Sequence, residues 1–462
     1  MLEDITMKTF SLLIALCGVT FTAVAAENSA DKVNLIGNGD FQKGKIGHLP
    51  DGWDLVTPNK VLAPHFELKK GANHKQTLMA SGNGRLECFG YARYPVKLEA
   101  NKSYRMKVKL RVEGIEDLNR HVVHSVNGTG FNDGITTLYH KQGDLIIGEN
   151  RFPGPKTATD CEIRLYYRFS PKGKVFWDEV ALEECEPIPP RLVKIACGWG
   201  KGDMESWSQW LDSAGRKHVD IALLTESFNN KHTAEEGEPL DGPAGALMKQ
   251  KAQQWKMYVT GTFYEKRDDL VFNSAPLFDR KGKLVGIYEK GQLFDPEEHI
   301  GITPGKDYPV FATDFGKVGI ITCYDSWFPE TTRLLAYKGA ELVVLPNAGY
   351  CMDLMPARAA DNGVCIAVSS ENCPAGVWDS GGALAGEKSP TPTRYVESSI
   401  CGYEKDEKNR LLVVTVDLSK RFSPHWWGGP MLSAPGGRRV RQTNILPIED
   451  EIAHEAKRWL QE

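Results

Sequence analysis

The 462-residue sequence predicts two folded modules of different class, an antiparallel β-sandwich followed by an α/β domain. Three observations predict it. Residues 33–185 alternate apolar and polar positions with period two, between turns rich in Gly, Asn and Lys. A stiff, Pro-rich stretch follows at 186–191. From residue 192 onward, short apolar strands alternate with segments of helical spacing.

Composition narrows the partners. With 41% hydrophobic residues, 25% charged residues and a net charge of -4, the chain carries no basic excess that would suit nucleic acid or an anionic membrane. A small molecule or a glycan is the expected partner. The N-terminus has the form of an export signal: Lys8, the apolar run 10–16, and small residues at Ala23-Val24-Ala25. The acidic Met1-Leu2-Glu3-Asp4 is wrong for such a signal, which points to Met7 as the start. Leu16 before Cys17 argues against a lipoprotein site, so cleavage after residue 25 and a secreted or periplasmic protein are expected. No later stretch is apolar and long enough to span a bilayer.

Ten cysteines occur, and nine remain once Cys17 leaves with the signal. An odd number suits one reactive thiol with optional disulfides among the others, whose pairing spacing does not assign. None of the spacings forms a zinc pattern.

In the first module, runs such as 103–112 and 162–167 alternate as strands of a sandwich do. Its ends, Asn34-Leu35-Ile36-Gly37-Asn38-Gly39-Asp40-Phe41 and Val175-Phe176-Trp177-Asp178-Glu179-Val180-Ala181-Leu182, resemble the carbohydrate-binding-module or galactose-binding-like family. The resemblance implies a calcium site near the first and last strands, which would fall on Asp40 and Asp178; an exposed acidic turn is the alternative for both. It also implies sugar binding, with Trp53, Tyr91 and Trp177 either as contacts or as core.

In the second module, strands are expected at 192–196, 221–226, 257–263, 273–278, 284–288, 318–322, 341–346 and 364–370. Helices are expected at 204–214, 244–254 and from about 329 through 337. Three chemically active residues stand at strand ends: Glu226, Lys290 and Cys323. A carboxylate, an ammonium and a thiol form a set of base, oxyanion stabiliser and nucleophile. Backbone N–H groups at the turn after Cys323 favour negative charge there.

The motifs around these residues resemble the nitrilase superfamily, the carbon–nitrogen hydrolases. They are Leu223-Leu224-Thr225-Glu226, Tyr288-Glu289-Lys290 with Pro304-Gly305 behind it, and Ile320-Ile321-Thr322-Cys323-Tyr324-Asp325-Ser326-Trp327-Phe328-Pro329-Glu330 with Arg333. Residues 339–348 and 357–363 add to the likeness. It implies a four-layer αββα sandwich over 192–445 and a Glu226–Lys290–Cys323 triad. Glu298 stands where a second glutamate often follows the lysine, with Glu297 as its neighbouring competitor. By this resemblance Glu226 takes the thiol proton, Cys323 attacks an amide or nitrile carbon, and Lys290 with the Tyr324 backbone N–H holds the oxyanion. No metal or cofactor is needed, and a homodimer or larger homo-oligomer through helices beside the site is expected.

The sequence departs from the family at Thr225, at Gly291-Gln292-Leu293 and at Asp361, which leaves the substrate open. Amide hydrolysis is favoured over nitrile hydrolysis, and a non-catalytic glycan-binding or scaffolding protein is the alternative of another class. Residues 374–409 read as a long loop, Trp426 and Trp427 as a subunit contact, a substrate wall or core, and 446–462 as a surface helix.

Overall fold

The computed structural model of the chain describes residues 33–71, 75–115, 118–129, 131–133, 139–387 and 398–420. The signal segment, Trp426, Trp427 and the helix expected at the C-terminus lie outside the described residues, as do residues 388–397 of the expected loop.

The front module is strand-rich and entirely antiparallel. A five-stranded sheet runs in the order Asp54–Val56, Phe89–Leu98, Thr159–Arg168, Val122–Gly128, Phe131–Asp133. A six-stranded sheet has the order His65–Lys70, Gln76–Ser81, Lys174–Cys185, Ser103–Glu113, Leu145–Pro153, Tyr139–Gln142. Alternation decides which side is buried. In Ser103–Glu113 the side chains of Tyr104, Met106, Val108 and Leu110 enter a core shared with Ile163 and Leu165 of the other sheet. Trp53 and Trp177 lie in this core, 4% and 0% exposed, which makes them packing residues rather than sugar contacts. Trp177 donates its indole N–H to His124 Nε2 at 2.8 Å, and burial pushes His124 down to about 3. The imidazole is therefore neutral, with its proton on Nδ1 facing Tyr139 Oη at 3.2 Å.

Arg191 anchors the entrance to the second module. Its guanidinium pairs with both oxygens of Glu341, at 2.8 and 2.9 Å, and its backbone N–H donates to Asp417 at 2.9 Å. Beyond it lies an eight-stranded sheet, ordered Phe263–Arg267, Leu270–Phe278, Tyr258–Thr260, Ile221–Leu223, Leu192–Gly198, Leu411–Asp417, Ile400–Asp406, with Leu284–Glu289 also paired to Leu270–Phe278. A five-stranded sheet is ordered Val310–Ala312, Lys317–Ile320, Leu342–Asn347, Cys365–Ser370, Gly376–Trp378.

Three apolar clusters stack these parts into four layers. Ile195, Ile221 and Val414 of the larger sheet pack on Val318, Val344 and Ala367 of the smaller one. Outside the larger sheet, helices Met204–Arg216 and Pro243–Trp255 contribute Trp207, Leu211, Met248 and Ala252. Outside the smaller sheet, helices Pro329–Tyr337 and Leu354–Asn362 contribute Leu335, Met355 and Ala359. The Asp203 carboxylate caps the first of these helices through Ser206 N–H at 2.8 Å, and Gly363, at φ +60°, closes the last.

The stretch expected as a loop at 374–409 is partly structured. It contributes strands Gly376–Trp378 and Ile400–Asp406, and buried Asp379 ties the turn at Gly381 and Ala383 to Ser398.

Candidate active site

The site lies where strands of the two sheets end. The Ile221–Leu223 strand stops three residues before Glu226, earlier than expected from the sequence. The Leu224 N–H still donates to Thr260 O, and Glu226 accepts Ala348 N–H on Oε2 at 3.1 Å, which fixes it against the smaller sheet. Lys290 follows the Leu284–Glu289 strand directly and is 1% exposed. Cys323 follows the Lys317–Ile320 strand and opens a short 3₁₀ turn, Cys323–Trp327, with its backbone at φ +44°. A non-glycine residue in this left-handed region costs of order 1–2 kcal/mol, and the turn must be held from outside.

Asp325 does the holding. Its carboxylate accepts Thr322 N–H at 2.8 Å, Gln292 N–H at 2.9 Å and Tyr288 O–H at 2.6 Å. One side chain thus joins the nucleophile turn to the segment that carries Lys290. Burial pushes Asp325 up to about 6, against the pull of those donors and of Lys290.

The Lys290 ammonium is the centre of the charged cluster. It lies 2.9 Å from Glu226 Oε1 and 2.5 Å from Glu297 Oε2. Burial alone would lower its pKa, but Glu226, Glu297 and Cys323 together raise it well above the usual lysine range, so Lys290 stays charged. Asn273 Nδ2 donates to Glu226 Oε1 at 2.9 Å and to Glu297 Oε1 at 2.8 Å. Cys323 Sγ–H points to Gly349 O at 3.6 Å. Burial first, and then the Glu226 charge, push the thiol up to about 12 despite Lys290. At neutral pH the resting nucleophile is therefore a thiol beside a carboxylate, and it needs a base at the moment of attack. Tyr324 N–H, next in the turn, donates to no acceptor among the described residues.

The structure brings Glu226, Lys290 and Cys323 into one electrostatic cluster. It corrects the second glutamate: Glu297 is 6% exposed and faces Lys290, whereas Glu298 is exposed. Helix Asp295–His299 decides between them, because Phe294 N–H donates to Glu297 Oε2 at 2.9 Å and turns that side chain inward. Sequence reasoning did not single out Asn273 or give Asp325 a role. The calcium expectation is also corrected. The Asp178 carboxylate is taken by Arg111 through two hydrogen bonds, 2.8 and 3.1 Å, and Asp40 is exposed, its carboxylate receiving, among the described residues, Gln42 N–H at 3.4 Å. Among the described residues no group of three or more His, Cys, Asp or Glu is placed to hold a metal ion.

Residues 200–393 match the family model described as carbon–nitrogen hydrolase, a span that contains Glu226, Lys290, Glu297 and Cys323. The chain is 32% identical over 112 residues to a citrullinase of Francisella tularensis subsp. tularensis, covering 23% of this chain and 39% of that protein. It is 31% identical over 180 residues to the omega-amidase NIT2-B of Xenopus laevis, covering 35% and 65%, and 28% identical over 149 residues to an N-carbamoylputrescine amidase of Solanum lycopersicum, covering 29% and 50%. The chain thus spans between 39% and 65% of the length of these curated relatives. A crystal structure of a carbon–nitrogen hydrolase from Helicobacter pylori G27 is similar at 20% identity with a TM-score of 0.41, over 49% of this chain and 90% of that one. Residues 200–393 are thus similar to the carbon–nitrogen hydrolase family, whose model they match.

Proposed function

We propose that this protein is an amidase that cleaves a non-peptide C–N bond through a thioester on Cys323. The observation that carries the reading is the buried cluster in which one ammonium, Lys290, lies between Glu226 and Glu297 and acts on the Cys323 thiol.

In acylation, Glu226 takes the thiol proton as Sγ bonds to the amide carbon. The carbonyl electrons move to oxygen, and the oxyanion is met by the Lys290 ammonium and the Tyr324 N–H. The C–N bond then breaks as Glu226 passes its proton to the departing nitrogen, which leaves as ammonia or an amine. In deacylation Glu226 takes a proton from water, hydroxide adds to the thioester carbon, and the proton returns to sulfur as the carboxylic acid is released. Glu297 and Asn273 position Lys290 and Glu226 throughout.

Screening amides, carbamoyl compounds and nitriles with the full chain tests the reading. Amine or ammonia release from amides that disappears in C323A supports it. Turnover of nitriles alone would replace amidase with nitrilase, and turnover that persists in C323A would remove the mechanism.

We further propose that the chain is exported by cleavage after Ala25, which N-terminal sequencing of the secreted protein tests. For the front module we propose glycan binding, supported by a cavity of about 390 Å³ of mixed lining, with Arg111, Glu113, Lys141 and Asp144 beside Val112, Ile146 and Phe176. Binding of the full chain to a glycan array that Phe176→Ala abolishes supports this, and a silent array removes it.

A further inference from the structure

Tyr264 is a further polar residue beside the charged cluster. In the hairpin of strands Phe263–Arg267 and Leu270–Phe278 it is the cross-strand partner of Asn273, the residue that bridges Glu226 and Glu297. Directly opposed residues of an antiparallel pair project to the same face, so the phenol ring leans toward the side on which both carboxylates lie. Lys290 continues the row, since its backbone N–H donates to Asn273 O at 2.9 Å.

The ring is 6% exposed and packs with Val271 and Ile302. Its hydroxyl donates to no acceptor among the described residues. The residue is buried, but its oxygen is not among the fully buried unpaired polar atoms, so the hydroxyl is open to a ligand. Burial, then Glu297 and Glu226, raise its pKa well above the usual tyrosine range, so it remains an O–H donor at any working pH.

We propose that Tyr264 is a specificity-determining residue whose hydroxyl donates a hydrogen bond to a neutral oxygen acceptor of the substrate, such as an ether, hydroxyl or carbonyl oxygen. The charge of the site selects neutral over anionic acceptors. Two carboxylates and one ammonium leave an excess negative charge in a buried space, and an anionic substituent beside Tyr264 would meet it without a counter-ion. The substrate class is accordingly an uncharged or cationic amide bearing a neutral oxygen near the scissile carbon. This rests on the amidase reading.

The test uses amide pairs that differ by one atom, an ether oxygen for a methylene: methoxyacetamide against butyramide, and 3-methoxypropanamide against pentanamide. The ratio of kcat/KM within each pair is measured for wild type and for Tyr264→Phe. In wild type one pair shows a clear preference for the ether. In the variant that preference falls by about tenfold, as expected for loss of one neutral hydrogen bond, while the Cys323 thiol still reacts with methyl methanethiosulfonate at the wild-type rate. Comparing ratios cancels the inductive effect of the oxygen on the carbonyl. Identical ratios in both proteins would overturn the assignment, as would a wild-type ratio that does not depend on the position of the oxygen. If the wild type hydrolyses other amides of the screen but none of these four, the assignment falls and the amidase reading stands; if no amide of the screen is hydrolysed, the amidase reading falls.

Discussion

Lys290 donates its backbone N–H to the carbonyl of Asn273 at 2.9 Å, and the side chains of the same two residues converge on the same two glutamates. The neighbouring strands thus set the positions of the ammonium and the carboxamide together. A buried cluster of two carboxylates and one ammonium is stable only if its remaining hydrogen-bonding capacity is met, and Asn273 meets part of it.

Asn273→Ala leaves both carboxylates short of a donor. A loss of about 1–3 kcal/mol in unfolding free energy is expected, together with at least a tenfold fall in kcat. Denaturant unfolding and steady-state turnover check this, and a variant of wild-type stability and rate would show that the bridge is idle.

Glu297 and Glu298 are neighbours with opposite surroundings. Glu297→Gln removes the charge 2.5 Å from Lys290, and a fall in kcat of about 10²-fold or more is expected, because the ammonium then turns toward Glu226 alone. Glu298→Gln is expected to keep kcat within about twofold, as for an exposed surface change. Parallel kinetics of the two variants decide which glutamate serves the site.

Glu226→Gln separates acidity from catalysis. Removing the carboxylate charge lowers the thiol pKa below its present value of about 12, so more thiolate forms at a given pH. Turnover is nevertheless expected to fall by about 10²–10⁴-fold, since no base remains to take and return the proton. Ultraviolet titration of the thiolate beside turnover assays reads both. A variant that gains thiolate and keeps its activity would remove Glu226 as the base.

Asp325 predicts a particular dependence of stability on pH. Burial raises its folded pKa to about 6, above the ordinary aspartate value of 3.8. The folded state therefore holds a proton that the unfolded chain releases between those values. Its contribution is fully present below the unfolded pKa and is lost as pH rises through about 6, an effect of about 3 kcal/mol. In Asp325→Asn this dependence is absent. The stability of wild type relative to the variant is then expected to decline from about pH 4 to about pH 7. Urea unfolding of both proteins across that range measures it, and a difference independent of pH would contradict the assignment.

Much of the second module was legible because its strands are continuous apolar runs: 318–322 and 341–346 read as buried strands, and Pro329 marks the start of the helix Pro329–Tyr337. Glu226, Lys290 and Cys323 were visible as chemically active residues at the ends of such strands. The choice between Glu297 and Glu298 was not legible, since it turns on the direction of one carboxylate at the first turn of a five-residue helix. Asn273 and Tyr264 were hidden for another reason. They meet across a hairpin that turns at Asp268-Asp269, with Asp268 at φ +54°, and no glycine or proline marks that turn. In the front module alternation located the strands but did not separate Trp53 and Trp177 as core from surface aromatic residues, because a tryptophan suits either side of a sheet.

The central role of Cys323 is tested most directly by intact-protein mass spectrometry after rapid acid quench with a turned-over amide. A mass increase equal to the acyl group, localised by peptide mapping to Cys323 and absent in C323A, is the expected result. An amide that is hydrolysed with no acyl adduct on Cys323 at any quench time, or with the adduct on another residue, would contradict it.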